Sequence, residues 1–95
     1  MTMAERIEAK LRDAFTPERL EIADDSHKHR GHSGWLPGGE THFRVTVVSP
    51  VFEGVSRVQR QRMIHDALSA ELAERVHALQ LTARTPAEDA RIAGA

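Results

Sequence analysis

The sequence contains no cysteine among its 95 residues. This absence excludes disulfide bonds, thiol nucleophiles and any metal cluster held by thiolates of this chain. Aromatic residues are also scarce, at 4% of the composition, which argues against a surface that stacks nucleic-acid bases on aromatic rings. No apolar run approaches the roughly 20 residues of a membrane-spanning helix, and residues 1–10 lack the apolar core of a secretory signal. A cytoplasmic location without membrane contact is therefore expected.

Neither sign of charge dominates the composition. The 13 lysines and arginines nearly balance the 14 aspartates and glutamates, for a net charge of −1, so no global field draws the protein towards nucleic acid or an anionic membrane. The length predicts a single domain over residues 1–95. Histidine, by contrast, is abundant, because there are six and four of them lie between residues 26 and 42.

Three capping patterns and one proline mark where the helices begin and end. Capping boxes at residues 2–5 (Thr-Met-Ala-Glu) and 56–59 (Ser-Arg-Val-Gln) predict two helix starts. Pro17 ends the first helix, and the second is expected to run to about Ala73. Residues 85–88 (Thr-Pro-Ala-Glu) supply the cap, the proline and the acid of a short last helix. The core-facing stripes of the two long helices are predicted to be Ile7, Leu11, Ala14 and Phe15, and Ile64, Ala67, Leu68 and Leu72.

Alternating apolar and polar residues predict three strands, at residues 19–23, 41–49 and 76–84. The first two strands are expected to form an antiparallel hairpin, and the third joins across the long helix. The predicted fold is therefore α+β in the order α-β-β-α-β-α, with a three-stranded mixed sheet and the helices packed on one face. Residues 91–95 are expected to fray.

The segment 24–39 is a glycine-containing loop that concentrates histidines. His27, His29 and His32 are spaced by two and three residues. Loops longer than about 12–15 residues are usually functional or disordered, and neutral imidazole is a ligand for zinc, copper and iron. The segment therefore fits a metal-binding loop, including a simple divalent-metal site, and it fits a solvated polar loop as well.

His77 differs from the loop histidines because it opens the third predicted strand. It is in phase with Leu79 and Leu81, so it is expected on or at the rim of the buried face. By itself this position is more typical of a hydrogen-bonded core or rim residue than of a metal ligand. His42 lies on the polar side of the second strand and His65 beside the stripe of the long helix, and both are interpreted as structural.

The residues alone give little support to catalysis or to nucleic-acid binding. Neither a nucleophile elbow nor a phosphate loop is present. Arg57, Arg60 and Arg62 cluster at the start of the long helix, but the last two point about 160° apart at 100° per residue, so they do not form one flat basic face. The α-β-β-α-β order is that of a type II KH domain, whose GXXG loop clamps nucleotides. The comparable turn at residues 54–57 (Gly-Val-Ser-Arg) lacks the second glycine.

Several motifs, taken in order and spacing, together resemble the BolA family. The resemblance covers most of the chain, from about residue 5 to residue 88, and includes residues 25–26 and 39–43 on either side of the histidine loop. Its other motifs are Phe52-Glu53-Gly54-Val55-Ser56, Arg60-Gln61-Arg62-Met63-Ile64-His65, Glu71-Leu72, Val76-His77-Ala78-Leu79 and Thr85-Pro86-Ala87-Glu88.

The resemblance implies a KH-like fold and a role without catalysis or a small-molecule substrate. It implies a heterodimer with a monothiol glutaredoxin, in which glutaredoxin and glutathione thiolates hold one side of a shared [2Fe–2S] cluster and histidines of the BolA protein hold the other. The family's C-terminal ligand falls on His77. Its loop ligand falls on His29, with His32 or His27 as alternatives. The implied function is iron–sulfur cluster assembly or trafficking, or iron regulation.

The resemblance also leaves a second function open. A DNA-binding transcriptional regulator is a role likewise attributed to the family, and it would use the helix start with Arg57, Arg60 and Arg62. Two residues depart from the family pattern. Gln61 stands on the inward stripe where relatives often carry histidine, so local packing is expected to differ. Asp89 stands where many relatives carry tryptophan, so the last helix is expected to dock less firmly.

Overall fold

The computed structural model describes residues 2–25, 42–74, 76 and 78–93. Within these ranges no helix is both long and apolar enough to cross a bilayer. The predicted α+β fold and element order are confirmed. The helices are α1 (Met3–Phe15), α2 (Arg57–Ala67), α3 (Ser69–Glu74) and α4 (Pro86–Ala93), the strands are β1 (Arg19–Asp24), β2 (His42–Val48) and β3 (Ala78–Arg84), and a 3-10 turn covers Pro50–Phe52.

The first helix begins and ends where its local sequence predicts. The Thr2 hydroxyl accepts the Glu5 N–H at 3.1 Å and the Glu5 carboxylate accepts the Thr2 N–H at 2.9 Å, which completes the capping box. At the other end Thr16 adopts the left-handed conformation (φ 44°) before Pro17. The buried side chains are Met3, Ile7, Leu11 and Phe15.

Ala14, predicted in the core-facing stripe of α1, is exposed instead. The buried residues of α1 follow one another at steps of four, and each step advances the direction by about 40°. In the last turn Phe15 therefore occupies the buried side of the helix, and Ala14, which points about 100° away from Phe15, faces solvent.

The three strands form one mixed sheet in the order β1-β2-β3. β1 pairs with β2 in antiparallel fashion, from Arg19 opposite Val48 to Asp24 opposite Phe43. β2 pairs with β3 in parallel fashion, starting with His42 opposite Ala78. The ends of β1 and the starts of β2 and β3 therefore lie at one end of the sheet.

One face of the sheet carries the core, and α1, α2 and α3 supply the side chains that cover it. Alternate residues of the central strand point into this core, where Phe52 of the 3-10 turn and the apolar stripe of α2 are also buried. The cluster of buried apolar residues is Met3, Ile7, Leu11, Phe15, Phe43, Val45, Val47, Phe52, Ile64, Leu68 and Val76.

The long helix predicted from residue 56 to about Ala73 is divided at Leu68. The Leu68 N–H still donates to the Ile64 carbonyl at 3.0 Å, and the Leu72 N–H donates to the Leu68 carbonyl at 3.0 Å. With φ −103° and ψ 17°, Leu68 bends the chain within this ladder of hydrogen bonds. The apolar stripe continues through the bend, which is why the pattern alone predicts a single helix.

The third strand begins at Ala78 and not at residue 76, because the backbone N–H of Val76 is bonded to the C-terminal end of α3 and not to the sheet. This N–H donates to the Glu71 carbonyl at 3.1 Å. The last helix extends to Ala93 and so includes three of the five residues for which fraying is expected.

Candidate functional site

Three chain segments meet at the end of the sheet from which the histidine loop leaves. The Asp25 N–H donates to the His42 carbonyl at 2.7 Å, which extends the hairpin by one hydrogen bond beyond β1. On its other side His42 lies opposite Ala78, the first residue of β3. The two ends of the loop and the start of β3 are therefore neighbours across adjacent strands.

The predicted ligands His27, His29, His32 and His77 lie outside the described residues. The described residues on either side of them still fix where these segments join the fold. The loop leaves at Asp25 and returns to β2, and residue 77 lies between Val76 and Ala78. Both segments join the sheet at the same end.

Asp25, the last described residue before the histidine loop, is held by an ion pair as well as by its backbone hydrogen bond. The Arg44 guanidinium donates to the Asp25 carboxylate at 2.6 Å, and the Asp25 side chain is only 14% exposed.

The two described histidines lie apart from each other. His42 is buried although its strand position faces away from the core, while His65 lies exposed in the last turn of α2. Among the described residues, no group of three or more His, Cys, Asp or Glu side chains is arranged to hold a metal ion.

A buried carboxylate lies in the helix that leads to His77. Glu71 of α3 is 0% exposed, and two cations of α1 contact it, Lys10 at 2.8 Å and Arg6 at 2.9 Å. Burial raises the pKa of Glu71, but the hydrogen bond from Lys10, a backbone hydrogen bond, the charge of Lys10 and the contact with Arg6 together lower it more, so the net pKa lies below its ordinary value. The side chain is therefore an ion in the folded protein.

No role for Glu71 was assigned from the sequence, although a signal was present. Glu71 follows Ile64 by seven residues, which is two helical turns, and so it falls within the apolar stripe of the long helix. A charged residue in a core-facing position needs a partner. The sequence shows the anomaly but does not identify Lys10, because the two residues are 61 positions apart.

The arginine cluster lies at the opposite end of β3 from the candidate ligands. Arg57 and Arg62 are exposed on α2, whereas Arg60 is 5% exposed. The Arg60 guanidinium donates to the Glu88 carboxylate at 2.7 and 3.3 Å, and also to the carbonyls of Val55 and Ala83. The structure therefore separates the three predicted nucleic-acid contacts, because Arg60 is engaged inside the fold.

Glu88 joins the Arg60 contact to the start of α4. Its carboxylate accepts the Thr85 N–H at 2.8 Å, and the Thr85 hydroxyl accepts the Glu88 N–H at 3.2 Å, which is a complete capping box. The hydrogen bonds from Arg60 and from the Thr85 backbone lower the pKa of Glu88 to about 2. The cap and the ion pair thus depend on the same ionised carboxylate.

This lowered pKa predicts acid-dependent stability. Because the pKa of Glu88 falls from 4.5 in the unfolded chain to about 2 in the folded protein, its stabilisation is present above pH 4.5 and is lost as the pH falls towards 2. Glu88→Gln is expected to unfold at a lower temperature than the wild type at pH 7, and this difference should shrink as the pH falls below 4.5. Thermal unfolding followed by circular dichroism from pH 7 to pH 3 measures it. A difference that stays constant over the whole range contradicts the prediction.

Comparisons with known proteins agree on one family. The family model described as BolA-like protein matches residues 11–88. The chain is 54% identical over 82 residues to BolA-like protein 1 of Bos taurus, covering 86% of this chain and 58% of the bovine protein. It thus spans little more than half the length of that relative. It is 46% identical over 82 residues to a protein of Escherichia coli K12 named DNA-binding transcriptional regulator BolA, covering 85% of this chain and 73% of that protein.

A solved structure shows the same architecture. The BolA domain of SufE1 from Arabidopsis thaliana matches with a TM-score of 0.83 at 43% sequence identity, over 93% of this chain and 96% of that domain. The matching α+β fold, the family model and the sequence identities all point to the same conclusion. The chain belongs to the BolA family.

Proposed function

We propose that this protein is a non-enzymatic partner of a monothiol glutaredoxin and supplies His77 and His29 as ligands to a shared [2Fe–2S] cluster. The observation that supports this proposal most strongly is the meeting of three segments at one end of the sheet. Asp25 bonds to His42, and His42 lies opposite Ala78. The segments that carry the two proposed ligands, far apart in sequence, thereby join the fold at neighbouring points.

The chemistry of the available donors fits this role. A chain without cysteine offers imidazole and carboxylate donors, and imidazole is a known replacement for thiolate on one iron of a [2Fe–2S] cluster. The remaining iron then needs thiolates from outside the chain, which a glutaredoxin and glutathione provide. Replacement of thiolate by neutral imidazole removes negative charge and raises the reduction potential.

The contribution of this chain is to supply its histidines as ligands. When bound, the cluster supplies one-electron redox chemistry and iron and sulfide for transfer. An imidazole binds iron only when deprotonated, and its unperturbed pKa is about 6.5, so ligation weakens in mild acid. The proposed role is in cytoplasmic cluster assembly or trafficking, or in iron regulation.

Replacement of His77 by alanine tests the proposal directly. The protein is mixed anaerobically with a monothiol glutaredoxin, glutathione and a [2Fe–2S] source, and the visible absorption and circular dichroism of the cluster are recorded. The wild type is expected to shift the bands of the glutaredoxin cluster, and His77→Ala is expected to abolish this shift. His65→Ala is the matched control, because His65 is exposed on α2 and should leave the shift intact. Identical spectra for the wild type and His77→Ala would contradict the proposal.

The same spectra identify the second ligand. Alanine variants of His27, His29 and His32 are compared one at a time, and His29→Ala is expected to have the largest effect. A simple divalent-metal site in the loop is a different function with a different result. Zinc affinity that survives in His77→Ala but is lost on replacement of the loop histidines supports that function.

DNA binding is the second candidate, and the name of the Escherichia coli relative favours it. In this chain Arg60, the middle one of the three arginines proposed to contact DNA, is buried. The two exposed arginines, Arg57 and Arg62, point about 140° apart on the helix, so they do not face one DNA backbone together. Titration of duplex DNA at two salt concentrations separates the two functions. A phosphate-binding surface gives affinity that falls steeply with salt, and Arg57→Gln should then weaken binding without changing the cluster spectra.

A further inference from the structure

The carboxylate of Glu71 has no place in the proposed ligand set, yet it lies in the helix that leads to His77. Its side chain is buried to 0% exposure and contacts Lys10 and Arg6 of α1 at 2.8 and 2.9 Å. Loss of water around a buried carboxylate is unfavourable, and an apolar side chain of similar volume is often as stabilising at such a position. A contribution to stability is therefore not a sufficient reason for a charged residue at this position.

A buried ion pair that adds little stability can still select one arrangement of the elements around it. An apolar contact tolerates small displacements, whereas a carboxylate held by two cations has few geometries that satisfy it. Here the carboxylate belongs to the first turn of α3 and both cations belong to α1. The contact fixes where α3 lies on α1.

The position of α3 also determines where the chain that follows it lies, because a backbone hydrogen bond connects the two. The Glu71 carbonyl accepts the Val76 N–H at 3.1 Å, a hydrogen bond of the kind that closes a helix C-terminus. Val76 is 4% exposed and belongs to the apolar core. Two residues later Ala78 pairs with His42 in the sheet. His77 is the single residue between these two anchored neighbours.

We propose that Glu71, with Lys10 and Arg6, is a positioning residue for the His77 ligand. This inference rests on the proposed function, because it gives the buried carboxylate a role towards the cluster. The side chain of Glu71 sets the position of α3, and its backbone carbonyl accepts the Val76 N–H, so the residue that precedes the proposed ligand is held in place. Groups that hydrogen-bond a metal ligand directly typically change metal affinity by about 10- to 100-fold when they are replaced; Glu71 acts one step further away, through the backbone, so an effect at the lower end of this range is expected.

The test compares Glu71→Gln with Glu74→Gln, each of which removes one negative charge from α3. Glu74 is a matched control because it contacts Arg6 at 2.7 Å but its side chain is 58% exposed. In the protein without cluster, the Val76 amide of Glu71→Gln is expected to exchange its hydrogen about tenfold faster than in the wild type, with amides of β2 unchanged. In the glutaredoxin complex, Glu71→Gln is expected to lose its cluster to a chelator about tenfold faster and to shift the visible circular dichroism. Glu74→Gln should stay within about twofold in both measurements.

The outcomes separate this inference from the function on which it rests. Unchanged Val76 exchange, or unchanged spectra and chelation in Glu71→Gln when His77→Ala does change them, overturns the positioning role and leaves the ligand role standing. Unchanged spectra in His77→Ala overturn the ligand role itself. If Glu71→Gln does not fold, Lys10→Gln is assessed by the same criteria, because it retains the contact of Arg6 with the carboxylate.

Discussion

Replacement of Arg60 by methionine is expected to lower the free energy of unfolding by about 3 kcal/mol. The methionine retains much of the contact with the ring of Phe52, above which the guanidinium carbon lies at 5.8 Å. It provides no donor for the carbonyls of Val55 and Ala83, which accept from Arg60 at 2.9 and 3.1 Å. It also leaves the Glu88 carboxylate without its cation. Loss of one partner from such a set is strongly unfavourable, because the other polar groups remain in place.

Urea unfolding followed by circular dichroism measures this loss, and Arg62→Met is the control on the same helix. Arg62 is exposed, so its replacement is expected to change the free energy of unfolding by no more than about 0.5 kcal/mol. Equal effects of the two substitutions would show that the guanidinium of Arg60 does not hold these elements together. The same measurement is a control for the DNA titration, because an Arg60 variant that has unfolded would lose DNA binding whether or not Arg60 contacts DNA.

The element order was predictable because the signals that define it are local. The hydroxyls of Thr2, Ser56 and Thr85 each accept an N–H three residues ahead, and this spacing is visible in the sequence. Alternation along β2 likewise predicts its face, because neighbouring side chains of a strand point to opposite sides. Such features need no knowledge of the rest of the chain.

The boundaries that were predicted wrongly depend on competition between elements. Val76 has the apolar character of the strand that follows it, but its N–H is bonded to α3 and is not available to the sheet. The bend at Leu68 was missed for a related reason. Helical hydrogen bonds and the apolar stripe both continue through it, so the sequence pattern does not mark where one helix ends and the next begins. Periodicity records which face a residue occupies and does not record which element takes its backbone hydrogen bond.

The candidate site was predictable in part. Residue types and a family resemblance were sufficient to select His77 and the loop histidines, and their roles as ligands stay predictions. The burial of Arg60 was not predictable, because arginine is rarely buried without a partner and its partners Ala83 and Glu88 lie 23 and 28 residues away. A local pattern cannot identify a pair that only the folded chain brings together.

Asp89 shows how a departure from the family pattern is accommodated. An acid at this position, in place of an aromatic residue, led to the expectation that α4 docks less firmly. In the structure its carboxylate accepts from Arg19 of β1 at 2.6 and 3.2 Å and from Arg84 of β3 at 3.1 Å. These hydrogen bonds lower the pKa of Asp89 and keep it ionised. Together with the Arg60–Glu88 pair, they attach α4 to both edge strands and to α2.

Replacement of Ser49 by alanine is expected to cost about 2–3 kcal/mol, more than the usual loss of a helix cap. The Ser49 hydroxyl is fully buried. It donates to the Phe15 carbonyl at the end of α1 at 2.6 Å and accepts the Val51 N–H of the 3-10 turn at 3.2 Å. Alanine fits the space but leaves the Phe15 carbonyl without its donor in a buried place and the partly buried Val51 N–H without its acceptor.

Ser56→Ala provides the matched comparison, because Ser56 is also a serine cap but is exposed. Its hydroxyl accepts the Gln59 N–H at 3.1 Å, and water can replace it, so the expected cost is about 1 kcal/mol. Urea unfolding of the two variants under identical conditions gives the difference between a buried cap with two partners and an exposed cap with one. Equal costs would mean that Ser49 acts as an ordinary cap and that α1 is tied to the end of β2 by apolar packing alone. The larger cost for Ser49→Ala would establish that one hydroxyl joins the first helix to the central strand.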